Sequence, residues 1–514
     1  MELLGTTQFA TPSRRTVPTY RKDIGPRLGF AYAFDPKTVV RGGAGVYFGM
    51  SPATNFQYPG SAFRKTANLF FTNDNFATQS ATLENPFPSG FSGPQGTQYG
   101  QFANWGYQNP NDLGTTAARD ADIYQWNIGI QRELPSAIVV GVDYVSNRST
   151  HLPWSGTNNR AYIPSSLLSQ VTASVTPTDP TCIDDGCVSN FLATQVGNPF
   201  YGMFNTPCTS TPTNPCFNEP NSNYGEPTLS LGTLLTNYPQ FSGDFEGLML
   251  ESANSWYNSM QFRFQKRTTH HVSFEGSYTI AKETDDSSAG RNNWVGGLSL
   301  GLPQQLDRLS AEHSIGANDA SQRLAAAVVV DLPIGRNEWI GGQMNRVVDA
   351  FVGGWAIATM ITEQAGQPMA LGMANARLAN GTQRPEVLCS QYKTGVSMHT
   401  VALNWQNVGS GSTPTFLNAN CFGDPGDQTP GNAPRYFSGL RVDGIHNADL
   451  NFYKSFVPKE GMKIEIRAEM FNVTNHPRFA QPDSAVGDPF FGTITGPAIG
   501  ESARFFQFGA RFEF

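Results

Sequence analysis

The last ten residues of the chain alternate between two kinds of side chain. One set is apolar and recurs at every second position: Phe506, Phe508, Ala510, Phe512 and Phe514. Successive residues of a strand point to opposite faces, so the segment predicts a strand with one aromatic face and one polar face. In water such a face would promote aggregation, whereas a strand between lipid and an aqueous lumen requires it. The segment is therefore predicted to be the closing strand of a transmembrane β-barrel.

The composition favours strands that are apolar on one side only. The chain contains 36 Phe and 52 Gly, yet only 15% of its residues are charged and its mean hydropathy is −0.33. No apolar run approaches the ~20 residues that a membrane-spanning helix needs. The net charge of −7 argues against a nucleic-acid partner, which would normally require a basic surface.

The same alternation recurs in segments of the length expected for a tilted membrane strand. In 462–471 the polar positions are all charged, and we expect them to face the lumen: Lys463, Glu465, Arg467 and Glu469. These charges could bind a substrate, but ion pairing across strands and contacts with a plug domain are the simpler interpretation. About eleven strands are predicted, near 27–34, 38–48, 124–131, 138–144, 256–265, 272–280, 323–333, 351–366, 446–456, 462–471 and 503–514.

The connections between these strands differ systematically in length. Short turns near 35–37, 134–136, 266–271 and 457–461 alternate with long links at 49–121, 148–254, 284–322, 367–445 and 476–502, and the link at 334–350 is intermediate. Outer-membrane barrels have short periplasmic turns and long extracellular loops. The predicted fold is thus all-β, an antiparallel transmembrane β-barrel with long extracellular loops. A soluble β-sandwich or propeller would not explain the asymmetry.

Several segments, in order along the chain, carry a family resemblance. They are PRLGFAY at 26–32, VRGGAGVYF at 40–48, SYTIAK at 277–282, the GW at 354–355 with GQP at 366–368, and RAEMFNVTNHP at 467–477. Together they resemble the C-terminal barrel of Oar-like TonB-dependent receptors. The resemblance implies an outer-membrane importer with about 22 strands around an N-terminal plug, driven from the inner membrane by TonB. The eleven predicted strands would be a partial barrel.

The resemblance also implies a domain organisation and partners. Residues 1–24 are expected to be an upstream remnant and 25–514 the C-terminal half of the barrel. Neither a plug domain, a TonB box nor a signal peptide is recognisable, so we expect the chain to be part of a longer protein. The expected partners are outer-membrane lipid, the TonB complex through the missing N-terminal region, and the barrel-assembly machinery, which would recognise Phe508, Phe512 and Phe514. The expected location is the outer membrane of a Gram-negative-type bacterium.

Six cysteines occur, all in the predicted loops: Cys182, Cys187, Cys208, Cys216, Cys389 and Cys421. Exported segments pass through an oxidising compartment, which favours disulfides. The spacing suggests the pairs Cys182–Cys187, Cys208–Cys216 and Cys389–Cys421. A four-cysteine zinc site within 182–216 is the alternative, although it lacks the CxxC spacing.

Other candidate motifs have ordinary structural interpretations. The acidic pairs Asp184-Asp185 and Asp285-Asp286 are expected to be solvated loop residues, with loop calcium as the alternative. His270 and His271 are expected in a turn, and His476 in a structural Asn-His-Pro turn. The GxSxG match at 297–301 lies in a long link rather than at a strand-to-helix turn. The glycines at 42–45 lie inside a strand and predict a kink or bulge.

The sequence therefore indicates no catalytic residues, no metal, no cofactor and no enzymatic activity. We expect the barrel portion of a TonB-dependent receptor or transporter for an unidentified large or scarce solute. A passive porin-like channel and a surface adhesin or structural barrel remain the alternatives.

Overall fold

The computed structural model describes most of the strand-forming chain and much of the long links. The described residues are 9, 11–13, 20–49, 72, 74–75, 77–88, 90, 97, 111–112, 119–153, 157–159, 161–175, 186–201, 227–241, 246–248, 251–269, 271–286, 303–379, 382–407, 413–459, 461–498 and 503–514.

Eleven long strands form one antiparallel sheet in which the order of strands follows the order of the sequence. They are β1 (Arg27–Asp35), β2 (Thr38–Phe48), β3 (Asp122–Leu134), β4 (Ile138–Pro153), β5 (Glu251–Thr269), β6 (Val272–Asp285), β7 (Gln322–Asp331), β8 (Trp355–Gln364), β9 (Ile445–Lys459), β10 (Met462–Phe471) and β11 (Phe505–Glu513). A short twelfth strand, Ser314–Ile315, pairs with the end of β6. The predicted strand number and the predicted antiparallel arrangement are confirmed, and β10 pairs with β11 at the end of the sheet order.

The remaining regular structure lies in the links. The helices are α1 (Ser165–Val175), α2 (Cys187–Ala193), α3 (Leu231–Leu234), α4 (Arg346–Val352) and α5 (Met398–Leu403). Short strands lie at Asn111–Asp112, Thr157–Asn159, Gln195–Gly197, Thr228–Ser230, Glu246–Leu248, Pro368–Met369, Gly372–Met373, Glu386–Val387, Phe422–Gly423, Phe437–Arg441 and Ala485–Val486. Single 3-10 turns lie at Pro135–Ala137, Leu309–Glu312, Trp405–Asn407 and Ala419–Cys421. Within the described part of the chain, no helix has the length and apolar character needed to cross a membrane.

The predicted strand at 351–366 begins later than expected, at Trp355, because 346–352 is helical. The side chain of Asn345 accepts hydrogen bonds from the backbone of Val347 and Val348, which caps the first turn of α4. Gly354, at φ 70°, then reverses the chain into β8. The cap outweighs the β propensity of the valines.

The register gives the sheet one continuous apolar face. Residues directly opposite each other share a face, and Ile128 lies opposite both Gly42 and Tyr144. Following these pairs through all eleven strands gathers most of the exposed large apolar residues of the sheet onto one side: Leu28, Phe30, Tyr32, Phe34, Tyr124, Trp126, Ile128, Ile130, Met260, Phe262, Ile280, Ile466, Phe506, Phe508 and Phe512. We call this the apolar face. Its charged residues, such as Arg132, Lys266 and Glu363, lie near strand ends.

The opposite side, which we call the polar face, carries most of the sheet's charge. It includes Arg41, Asp143, Arg263, Glu275, Arg323, Lys463, Glu465, Arg467, Glu469, Arg511 and Glu513. A sheet that keeps one apolar and one polar face over this many strands is suited to a boundary between lipid and water.

The sequence predicts a kink or a bulge at the glycines of 42–45, and the bulge is not found. The pairing of β2 with β3 runs without interruption from Thr38 to Phe48. The ring of Phe30 instead occupies the space above Gly42, and the ring of Phe264 does the same above Gly276. These glycines make room for aromatic rings on the apolar face, an arrangement that stabilises glycine-containing strands.

The sheet is open, as expected for a partial barrel. Among the strands that the structure describes, no pairing joins β1 to β11. Both strands therefore present one edge whose backbone groups lack a strand partner.

We predict that Ile128→Arg lowers the free energy of unfolding in lipid vesicles by about 2–4 kcal/mol, because it places a charge on the apolar face in mid-strand. Ile128 is 53% exposed in the isolated chain and lies near the middle of β3. The matched control is Asn127→Arg, one residue away on the polar face, which should change stability little. Urea titrations of both variants test this, and equal losses would contradict the assignment of the faces.

Candidate functional site

The described parts of several long links fold together rather than as separate irregular loops. Segments from 303–321, 365–444 and 472–498 pack over one end of the sheet, and we call this assembly, with the described parts of 161–241, the loop layer. Its largest core is made of Met369, Leu371, Val401, Ala402, Phe416, Leu417, Cys421, Phe422, Ala433, Phe437, Leu440, Val486, Phe491 and Ile494. Two links that are distant in sequence thus share one hydrophobic core, which makes the layer a folded unit.

A second core joins the link after β4 to the link after β8. Leu378 packs with Leu168 of α1 and with Val188 and Leu192 of α2. The carboxylate of Asp427 accepts a hydrogen bond of 2.8 Å from the backbone nitrogen of Ser189, which fixes the start of α2 against the same link.

A buried ion pair joins two segments of the layer. The guanidinium of Arg384 donates to the carboxylate of Glu312 at 2.6 Å and 3.3 Å, and the two side chains are only 5% and 1% exposed. The buried side chain of Gln304 accepts from the backbone of Arg384 and donates to the carbonyl of Gly431. A buried charge pair of this kind requires full hydrogen bonding, and these contacts provide it.

Two further arginines attach the layer to the ends of the strands. Arg435 is fully buried and its guanidinium donates to the carboxylate and the carbonyl of Asp285, at the end of β6. Arg441 donates to the carboxylate of Asp319 at 2.6 Å, and Asp319 in turn accepts from the backbone of Glu283. The prediction of a solvated acidic pair was therefore wrong for Asp285. It is mostly buried because Arg435 compensates its charge.

Tyr436 extends this attachment point into a small apolar cluster. Its ring packs against Ile315 and Ala370, and the guanidinium of Arg435 lies 5.3 Å from the ring centre. Burial raises the pKa of the Tyr436 phenol, and the adjacent Arg435 partly offsets the rise. The phenol is therefore neutral at physiological pH.

The cysteines of the layer are oxidised where the structure describes them. Cys389 and Cys421 form a disulfide that closes the link between β8 and β9 beside the largest core. Cys187 is also disulfide-bonded. Cys182, Cys208 and Cys216 lie outside the described residues, as do Asp184, Asp185, His270 and the 297–301 motif.

Among the described residues, clefts lie on the polar face below the layer. One, of about 440 Å³, is lined by Arg41, Gln131, Arg263, Glu275 and Thr362 among others. Here Arg263 pairs with Asp143 at 2.5 Å, and the Asp143 carboxylate lies over Gly129, where no side chain competes for the space. This cleft offers both cationic and anionic groups.

The second cleft, of about 360 Å³, lies beside the Asn-His-Pro turn and is lined by polar residues that include Asn447, Asp449, His476 and Arg478. The turn is held by Asn472, whose side chain accepts from the backbone of His476 and whose own backbone nitrogen donates to Asp449. Asn472 and Asn475 both have positive φ, at 48° and 55°. His476 thus occupies a hydrogen-bonded turn at the rim of the cleft.

The charged residues of β10 lie together on the polar face, as their spacing predicts. Their ion pairs run along the strand rather than between strands: Lys463 lies 3.7 Å from Glu465, and Arg467 lies 3.6 Å from Glu469. The neighbouring strand β11 explains why Arg467 has no ion-pair partner across the strands that the structure describes. Gly509 lies directly opposite Arg467, and the arginine side chain covers this glycine. Among the described residues, no cluster of His, Cys, Asp and Glu has the arrangement of a metal site.

Sequence reasoning missed the arginines at 384, 435 and 441 and their carboxylate partners. The paired residues are 72, 150 and 122 positions apart, so no local spacing signals them. The only available signal was the presence of charged residues within the long links.

We predict that Arg384→Met destabilises the loop layer by about 3–5 kcal/mol, because it leaves Glu312 as an uncompensated buried charge. Hydrogen exchange of peptides from 303–321 and 382–407 measures the local opening. The control is Arg377→Met, which breaks a more exposed pair with Asp424 and should cost at most about 1 kcal/mol. Similar exchange in the two variants would be inconsistent with the role given to the buried pair.

We predict that all six cysteines are oxidised in exported material, with the pairs Cys182–Cys187, Cys208–Cys216 and Cys389–Cys421. Closing these loops restricts the unfolded links and so stabilises the layer. Mass mapping of non-reduced peptides identifies the pairs. Free thiols, or a peptide linking Cys389 to a cysteine of the 182–216 region, would refute the pairing.

Comparison with known proteins identifies the family to which the chain belongs. The family described as "Outer membrane beta barrel domain" matches residues 2–507, and a search of curated proteins finds no match. Among solved structures, the outer membrane transporter YddB from Escherichia coli aligns with a TM-score of 0.36 and 8% identity, over 93% of this chain and 39% of that one. BauA, the ferric preacinetobactin receptor from Acinetobacter baumannii, aligns with a TM-score of 0.34 and 9% identity, over 95% of this chain and 36% of that one.

The pyoverdine outer membrane receptor FpvA from Pseudomonas aeruginosa PAO1 gives a TM-score of 0.34 and 9% identity, again over 95% of this chain and 36% of that one. The chain thus spans well under half the length of these structures. The family match extends over nearly the whole sequence and agrees with the continuous apolar face of the sheet. This chain belongs to the family of outer membrane β-barrel domains and is a protein of the Gram-negative-type outer membrane.

Proposed function

We propose that this chain forms part of the barrel of a TonB-dependent receptor that binds a large or scarce solute and imports it. The observation that carries the proposal is the loop layer, a folded unit that lies over one end of the sheet, above its polar face. A simple pore needs no such unit, whereas a receptor needs an ordered external surface that recognises its solute. The ordered motifs from PRLGFAY at 26–32 to RAEMFNVTNHP at 467–477 support the family assignment.

In this proposal the polar face lines the lumen. Lys463, Glu465, Arg467 and Glu469 would then lie along the path of the solute or contact a plug domain. The two clefts on this face offer groups of both charge signs, which suits a polar solute or a polar protein surface.

The open edges support a larger barrel. Backbone groups on the free edges of β1 and β11 would have no partner in lipid, which disfavours unpaired strands strongly. We infer that residues 25–514 pair with further strands, to a total of about 22, and that the whole protein also contains a plug domain and a TonB-binding segment. A barrel of that width would leak unless it were plugged.

The C-terminal phenylalanines have a role in assembly under this proposal. Phe508 and Phe512 on the last strand and Phe514 directly after it are exposed, and the barrel-assembly machinery would recognise them there. The same residues would afterwards contact outer-membrane lipid.

We predict that the whole protein transports solute only when TonB and the inner-membrane proton gradient are intact. The probe is a panel of radiolabelled ferric siderophores, oligosaccharides and oligopeptides too large for general porins, applied to cells with and without TonB. A member of the panel should accumulate only in cells that have both TonB and the receptor. Cells lacking the receptor are the control.

Two outcomes would overturn the import proposal. Accumulation that does not change when TonB is deleted would indicate a passive channel. Surface binding of a panel member or of other cells, with no accumulation in either background, would indicate an adhesin or structural barrel.

A further inference from the structure

The link between β7 and β8 contains apolar surface that the barrel fold does not require. It runs from 332 to 354 and lies at the end of the sheet where the short turns are. The backbone nitrogen of Asp331 shows this, because it donates to the carbonyl of His271 in the β5–β6 turn. His271 also contacts this link through Glu338 at 3.4 Å and through the ring of Trp339. In an outer-membrane barrel, the end with the short turns is periplasmic.

The C-terminus of α4 lies over the apolar face at this periplasmic end of the sheet. Trp355, on the apolar face, stacks on Phe452 with ring centres 4.3 Å apart, and its indole nitrogen donates to the carbonyl of Phe351 at 2.9 Å. Lys454, on the same face, donates to the carbonyl of Gly353 and, at 3.4 Å, to that of Asp349. The link therefore folds outward, onto the side of the sheet that contacts lipid.

Lys454 is a cation on a face otherwise suited to lipid, and it is only 3% exposed. Its ammonium lies 4.8 Å from the ring centre of Phe456 and 5.8 Å from that of Trp355. The carbonyls at the C-terminus of α4 carry partial negative charge, which stabilises a cation there. Lys454 thus holds the helix against the apolar face.

The outer surface of the link is apolar and exposed. The exposed residues are Trp339, Ile340, Val347, Val348, Phe351 and Val352, with Phe351 at 74% and Trp339 at 73%. Exposed Arg336 and Arg346 lie among them, while the acidic side chains Glu338 and Asp349 are engaged within the link and its neighbouring turn. An exposed apolar patch of this kind marks an interaction surface. It is continuous with the lipid-contacting face through Trp355 and Phe452.

We propose that residues 333–354 form a membrane-interface segment that lies in the headgroup region of the periplasmic leaflet. In this arrangement Trp339, Val347 and Phe351 enter the acyl boundary, and Arg336 and Arg346 contact the phosphates of anionic phospholipid. Aromatic and aliphatic residues on one side with arginines beside them are typical of interfacial segments. The segment would anchor the barrel at a fixed depth. This inference rests on the membrane position of the barrel and not on the import proposal.

The test uses the full-length protein with a single added cysteine, Val347→Cys or Phe351→Cys, labelled with a nitrobenzoxadiazole dye. Labelling is done without reductant, and the unsubstituted protein serves as the blank. The protein is reconstituted into vesicles of phosphatidylethanolamine and phosphatidylglycerol that contain lipids with nitroxides at a shallow or a deep acyl position. The matched control is Leu403→Cys, which is apolar, 66% exposed and at the end of a short helix in the loop layer.

We expect the emission of the dye at 347 and 351 to be shifted to the blue. We also expect the shallow nitroxide to quench the dye at these positions about threefold more strongly than at 403, since interfacial segments lie roughly 5–10 Å into the boundary. Quenching of 347 and 351 by aqueous iodide to the same degree as 403 would overturn the proposal. Protection of both positions from nitroxide and iodide alike would also overturn it, because a periplasmic protein would then cover the surface. The two positions are independent, so misfolding of one variant leaves the other decisive.

A second measurement tests the arginines. Replacing both of them, R336E with R346E, should abolish any increase in shallow quenching at 351 when phosphatidylglycerol replaces phosphatidylcholine. An increase that persists in the double variant would refute the contact with anionic lipid.

Discussion

The structure depends on the hydrogen-bonding requirement of the backbone in lipid. A strand in the hydrocarbon region must satisfy its amide and carbonyl groups through neighbouring strands, since no water is available. The strands do so in sequence order: each of β2 to β10 pairs with the strands before and after it, and β1 and β11 each pair on one side. This continuous pairing also fixes the faces, because a shift of one residue would move every side chain to the opposite side. The apolar face is thus a consequence of register as well as of composition.

Glycine makes that register possible at crowded positions. Phe30 and Phe264 lie across Gly42 and Gly276 on the apolar face, and Asp143 and Arg467 lie across Gly129 and Gly509 on the polar face. In each case a large side chain uses the space that a Cβ would fill. The abundance of glycine and phenylalanine in the composition therefore reflects specific cross-strand partners, in addition to turns and loops.

The two ends of the sheet differ in the connections between their strands. At one end, long links fold together around shared apolar cores and buried ion pairs, and Arg435 and Arg441 connect them to the strand ends. At the other end the turns are short, and only the 332–354 link is large enough to fold back over the apolar face. Under the proposals made above, the first end would recognise the solute, and the 332–354 link would hold the barrel at a fixed depth in the membrane.

The strand positions, their number and their two faces could be predicted from the sequence, because alternation is a local property with a period of two residues. The same holds for the asymmetry of the links and for the final strand pair. The loop layer could not be predicted in this way. Arg384 and Glu312, or Leu378 and Val188, are brought together only when several links fold over the completed sheet. The helix α4 has a local cause, because the Asn345 cap outweighs the β propensity of a valine-rich segment. The burial of Lys454 was decided by the tertiary structure, because carbonyls about 100 residues away in the sequence compensate its preference for water.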